Sequence, residues 1–119
     1  MWEGLNRRKF PRADFPCKIV IFKKGERKKL SGHTENIGAG GVCVILKKGL
    51  DKFSLVDLSL YLKKDESPIE CEGRAMWVVK RESEFDTGIE FINLKNPDRI
   101  KIERIVEECL KKEQTSSQE

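Results

Sequence analysis

Between Cys17 and Ile92 the apolar residues come in six short runs, and glycine, proline or a charged turn stops each one before a helix could be completed. Cys17 to Phe22 is a β-branched run that ends at Lys24-Gly25-Glu26. Lys28 to Ile37 is more polar; Gly38-Ala39-Gly40-Gly41 interrupts it, and Val42 to Leu46 has the continuous apolar character of a buried strand. Lys47 to Ser54 reads as a loop, and Leu55 to Leu62 alternates until Asp65-Glu66-Ser67-Pro68. Ile69 to Lys80 and Asp86 to Ile92 follow, joined by the acidic turn Glu82-Ser83-Glu84. Six strands with such short connections predict a mainly-β chain, a small closed antiparallel barrel that leaves no edge exposed.

The period changes after the last strand. Asn96 offers a helix cap, Pro97 suits the first helical position and Asp98 the first turn. Ile102, Ile105, Val106, Cys109 and Leu110 then share one helical face. A C-terminal α-helix over 96–112 is expected, with 113–119 as a disordered tail. The apolar stripe is expected to pack on the barrel; docking on a partner or a second copy is the alternative, so a homodimer stays open. Residues 1–16 are basic and hold Pro11 and Pro16, which predicts a flexible N-terminal arm ahead of a barrel over 17–95.

Charge is unevenly spread. Ten of the 24 basic residues lie in residues 1–29 against three acidic ones, a local balance of +7, whereas the other ninety carry 14 basic and 17 acidic residues. That asymmetry points to an anionic partner at the N-terminal side. The cysteines at 17, 43, 71 and 109 are too far apart for a zinc site and His33 is the sole histidine, so no metal is expected. Apolar neighbours make the cysteines small hydrophobic filler in a reducing compartment. The start, Met1 to Asn6, lacks a basic-then-apolar leader, no apolar run could span a membrane, and no lipidation motif occurs at either end, so a cytoplasmic chain without membrane insertion is expected. No nucleophile–histidine pair or paired carboxylates in glycine-shaped surroundings occur, so no enzymatic activity is expected.

Two segments carry recognisable chemistry. Arg7-Arg8-Lys9-Phe10-Pro11-Arg12 places Arg8 and Arg12 in an R-x-x-x-R spacing. A guanidinium is planar, always charged and forked, so it grips phosphate oxygens or the O6/N7 edge of guanine, and it stacks on bases. The other segment is Asn36-Ile37-Gly38-Ala39-Gly40-Gly41. The Asn36 amide can read a purine edge, and the glycines let a ligand approach the main chain. Alone, each segment has a bland explanation: chance in a basic stretch, and an ordinary turn.

Together, and followed by six strands, they resemble the PilZ domain family of bacterial cyclic di-GMP receptors. Its signature is R-x-x-x-R followed by [D/N]-x-S-x-x-G; Arg8 and Arg12 match the first part, Asn36 and Gly41 the second. Gly73 to Val79 resembles the family's G-x-V-x-W strand, and Gly88-Ile89-Glu90-Phe91 its G-[IV]-x-F closing strand. The resemblance implies a split-barrel type of β-barrel and cyclic di-GMP as ligand, with no other cofactor. It also implies an effector protein as partner, in second-messenger control of motility, adhesion or biofilm polysaccharide. By resemblance, Arg8 and Arg12 clamp guanine and phosphate, Asn36 meets a guanine edge, and Gly38 and Gly41 shape the turn beneath the ligand. Arg7 stands where an arginine accompanies two intercalated ligands. The family's serine is Gly38 here, and the lost hydroxyl bond costs roughly 0.5–1.5 kcal/mol, up to about tenfold in affinity.

Two other functions compete with the receptor. A barrel without its ligand could serve as a protein-interaction module, supported by Gly38 and the amphipathic helix. A basic-armed barrel could bind single-stranded nucleic acid, but its aromatics are few and sit in core-like contexts; no nucleic-acid polymer is expected. Trp77 and Phe91 read as core or barrel-end packing, and His33 as a surface residue.

Overall fold

The computed structural model describes residues 12–117, with side chains over 13–112. Seven strands and one helix follow in order: β1 (Arg12–Asp14), β2 (Lys18–Lys23), β3 (Lys29–Gly38), β4 (Gly41–Leu46), β5 (Leu55–Tyr61), β6 (Ile69–Arg81), β7 (Glu84–Ile92) and α1 (Asn96–Ser117). All pairings are antiparallel, and the sequence β3-β2-β5-β6-β7-β4 closes on itself through β3–β4. This is the six-stranded barrel that the alternation predicts. Ile19 and Ile21, Val42, Val44 and Leu46, Val56, Leu58 and Leu60 point inward at every second position. Each such side chain contributes about 1.5–3 kcal/mol on burial.

Two irregularities give the barrel its curvature. The β3–β4 register shifts between Thr34 and Asn36, and the β6–β7 register between Ala75 and Trp77. In each case one residue, Glu35 or Met76, is additional to the ladder, and such bulges sharpen the local twist.

The arm expected over 1–16 is partly ordered: Arg12–Asp14 forms β1, paired with Asn36–Gly38. The reason is a vacancy on β3. β2 pairs with β3 only from Lys29 to His33, so its far half has a free edge, and Ala13 turns into the core there. Thr34 manages the change of neighbour. Its hydroxyl, 2% exposed as a residue, accepts from Cys17 N at 2.9 Å and donates to Phe15 O at 2.7 Å, while its own N donates to Cys17 O at 3.0 Å. Pro16 between them has no N–H to strand.

α1 packs against β1 and β3 through Ile102, Ile105 and Val106. Its first bond runs from Arg99 N to Lys95 O at 2.9 Å, one residue ahead of the cap expected at Asn96. The helix continues to Ser117 and does not end at Lys112, so residues 113–117 are helical where a disordered tail is expected. Neither glycine nor proline follows Lys112, and Glu113 and Gln114 are good helix formers. Among the described residues no helix is long and apolar enough to cross a membrane.

Candidate functional site

The sharp connection between β3 and β4 brings the two signature segments together. Gly38 and Gly41 face each other across a two-residue turn of Ala39 and Gly40, and Gly38 is also the register partner of Arg12. One row thus runs Arg12, Gly38, Gly41, Glu90 and Arg74 across β1, β3, β4, β7 and β6. The neighbouring row runs Asp14, Asn36, Cys43, Gly88 and Trp77. Between them lie the inward positions Ala13, Ile37, Val42 and Ile89, all buried, so Gly38, Gly41 and Asn36 face away from the core; Gly38 and Gly41 are nonetheless buried and Asn36 half-buried. Arg7 and Arg8 lie outside the described residues.

The turn is held from two sides. Gly40 O accepts from Phe91 N at 3.0 Å, which ties it to β7. A Cβ on Gly41 would collide with the Ile89 carbonyl oxygen, so only glycine lets β4 approach β7 this closely. Ala39, 3% exposed, lies beneath α1 in a groove that Glu103, Val106, Glu107 and Leu110 complete. The helix therefore borders the turn, and the described carboxylates nearby are Glu90, Glu103 and Glu107. Arg74 is the register partner of Glu90 in the same row.

Of the two placements expected for Trp77, core or barrel-end packing, the core is not the one it takes. Its indole lies across Gly88, where a Cβ would collide with the ring, and Gly88 is the partner of Cys43, itself the partner of Asn36. The Met76 bulge moves Trp77 out of the inward series, and it is half-buried on the outer wall in the row of Asn36. The signal in the sequence was Gly73 to Val79 itself, which cannot reveal the extra residue. Phe91, in contrast, packs against the core as expected.

Cys17, Cys43, Cys71 and Cys109 are all free thiols. Burial pushes the Cys71 thiol up to about 11, helped by the carboxylates of Asp98 and Glu72. Burial also raises Cys17, partly offset by its hydrogen bond from Thr34. Among the described residues no three His, Cys, Asp or Glu side chains converge as metal ligands.

A closed six-stranded barrel with a glycine turn, a short extra strand that follows an R-x-x-x-R segment in sequence, and a C-terminal helix define the class of small β-barrel to which this chain belongs. The family model of the PilZ domain matches residues 6–108, and the chain belongs to that family. Among solved structures, the PilZ domain with c-di-GMP of YcgR from Escherichia coli superposes with a TM-score of 0.74 at 11% identity, over 95% of this chain and 98% of that one. The Bacillus subtilis inhibitor of motility, MotI/DgrA, gives 0.73 at 20% identity over 92% of this chain and 52% of its own. The MrkH–c-di-GMP complex of K. pneumonia gives 0.73 at 17% over 92% and 55%. This chain thus spans about half the length of the latter two, and at these identities the likeness is one of fold. No curated protein matches.

Proposed function

We propose that this chain is a cyclic di-GMP receptor that signals to a protein partner. The observation that supports this most is the shared row of Arg12, Gly38 and Gly41, which juxtaposes two signature segments separate in sequence. In this reading Arg8 and Arg12 clamp a guanine and the phosphates, and Asn36 meets a guanine edge. Gly38 and Gly41 keep the wall low enough for the ligand to lie against the backbone. Arg7 stacks on a base when a second ligand molecule intercalates.

The mechanism is an electrostatic exchange. Before binding, three carboxylates, Glu90, Glu103 and Glu107, border the turn, with Arg74 beside Glu90. The dianionic ligand draws the arginines onto the wall beside β1, ordering the arm at the moment of binding. The altered arm and wall surface is then read by an effector protein in the cytoplasm, without catalysis by this chain. The similar YcgR PilZ domain and MrkH, each solved with c-di-GMP, support the ligand class.

Isothermal titration with cyclic di-GMP, alongside Arg12→Ala and with GTP as control, tests the reading. Saturable binding that the variant loses and GTP does not produce is expected, and its stoichiometry, one or two ligands per chain, tests Arg7. A folded chain that gives no heat and no melting shift would leave the ligand-free protein-interaction module as the better reading, with Gly38 as the lost determinant.

A further inference from the structure

At the end of the barrel remote from Gly38, the β2–β3 and β4–β5 connections converge on a cationic mouth. Lys23 stands two positions beyond the core residue Ile21, Lys28 two before Leu30, and Lys48 two beyond Leu46. The three side chains line one cavity of about 120 Å³ with Leu30 at its base and Glu26 as its sole carboxylate among the described residues. β3 joins this mouth, at Lys29, to the glycine turn after Gly38, a separation of roughly 30 Å along the strand.

Residues 23–29 and 47–53 together hold eight basic side chains and two carboxylates. Of the eight, Lys24 is already engaged, bridging Asp57 at 3.0 Å and Glu72 at 2.7 Å. Among the described residues Lys23, Lys28 and Lys48 make no such ion pair, and they crowd one another. Lys28, and more weakly Lys23, hold the Lys48 ammonium below its ordinary pKa. An anion placed among them relieves that repulsion.

A second, independent feature lies on the loop that supplies Lys48. Leu50 is buried and anchors this loop to the core, and Phe53 is displayed 57% exposed at φ 70, a left-handed backbone that bulky side chains avoid. The display is built, not slack. Phe53 N donates to Ala75 O at 2.6 Å, Ser54 N and Oγ both donate to Asp51 O, and Ser54 O accepts from Ala75 N at 3.0 Å. Leu55, 41% exposed, follows, and its carbonyl receives Lys24 N at 3.2 Å, which sets this apolar pair beside the end of β2. Lys52 lies over the Phe53 ring at 5.0 Å.

We infer that this lysine mouth, with Phe53 and Leu55 at its border, is a docking surface for an anionic phospholipid membrane. Ammonium groups on flexible stems are point charges that suit many phosphate headgroups in no fixed orientation, unlike the forked arginines of the other segment. An aromatic and a leucine held outward beside such charges supply the apolar insertion that stabilises interfacial binding. The inference concerns a different end of the barrel from the cyclic di-GMP site and does not depend on that reading.

Sedimentation of the full chain with vesicles tests it, with no cyclic dinucleotide present. One set is phosphatidylcholine alone, the other equal parts phosphatidylcholine and phosphatidylglycerol. Binding to the anionic set only is expected, weakening as salt is raised. Each single Lys→Gln change at 23, 28 or 48 lowers the partition about fivefold, and the triple variant on the order of 100-fold. Phe53→Ser lowers it severalfold with the charge unchanged. Lys28, Lys48 and Phe53 are exposed and Lys23 is half-buried, and unaltered melting checks that the variants fold. No sedimentation with either set, equal sedimentation of wild type and triple variant, or tighter binding of a single-stranded oligonucleotide than of the anionic vesicles would each overturn the inference.

Discussion

The barrel's two ends are built from opposite materials. At the β3–β4 turn side chains are absent: Gly38, Gly40 and Gly41 contribute backbone alone, buried or half-buried, pinned by Phe91 N and bordered by α1. At the β2–β3 and β4–β5 end, side chains have been added: three lysines extend past the core residues and Phe53 is held outward. A bare wall with forked cations on an adjoining segment suits one ligand of fixed shape. A crowded ring of point charges suits a diffuse anionic surface. One closed fold can carry both because β3 spans the distance between them and keeps them apart.

The largest expected effect tests how strictly the glycine end is built. Gly41→Val drives a branched side chain into the Ile89 carbonyl, and chemical denaturation should show about 3 kcal/mol of lost stability. A near-neutral result would mean that β4 and β7 can part without cost, and the bare wall would lose its structural reason. Next, Arg12→Ala should weaken cyclic di-GMP binding by about 1.5–3 kcal/mol in titration while leaving melting nearly unchanged. Equal affinity for variant and wild type would detach β1 from the site.

Thr34→Val removes the hydroxyl that serves Cys17 N and Phe15 O, with an expected loss of about 1–3 kcal/mol in urea unfolding. If instead stability holds, the transfer of β3 from β2 to β1 has other support. Gly38→Ser restores the serine of the family signature, and its expected gain in ligand affinity is about 0.5–1.5 kcal/mol, roughly three- to tenfold. No gain would show that the missing hydroxyl is not what tunes this end.

The smallest effect lies at the other end, at the partnered lysine. Lys24 holds the Glu72 carboxyl below its ordinary range, with Asn93 assisting through a 3.1 Å bond. A depressed carboxyl stabilises the fold above its unfolded pKa, and that contribution disappears as pH falls through the lower folded value. Thermal melting between neutral and acid pH should therefore show a slight extra acid sensitivity in wild type compared with Glu72→Gln. The pair is solvent-exposed, so a large difference would contradict its weak screening-limited role.

Much of this molecule was readable before any coordinates. The inward alternation of Val42, Val44 and Leu46, or of Val56, Leu58 and Leu60, is a period-two signal that closure into a barrel satisfies directly. The spacing of Ile102, Ile105 and Val106 likewise marks the buried face of α1. What stayed hidden depends on nonlocal geometry. Arg12–Asp14 has too few residues for a pattern and becomes a strand only because β2 leaves part of β3 unpaired. Glu35 and Met76 look like ordinary strand residues, yet each shifts a register, and Met76 sends Trp77 to the outer wall. The juxtaposition of Arg12 with Gly38 follows from that hidden strand. Nothing local in Lys23 to Lys29 says that Lys48 comes to meet that turn.

The most direct measurement is backbone-amide chemical-shift mapping of the isotope-labelled chain during titration with cyclic di-GMP. Saturable shifts concentrated at Asn36, Gly38 and Gly41 and along Arg12–Asp14, with Lys23, Lys28 and Lys48 unmoved, are the expected result. Shifts confined to the lysine end, or none in a folded sample at saturating ligand, would contradict the assignment of the ligand site to the bare glycine end.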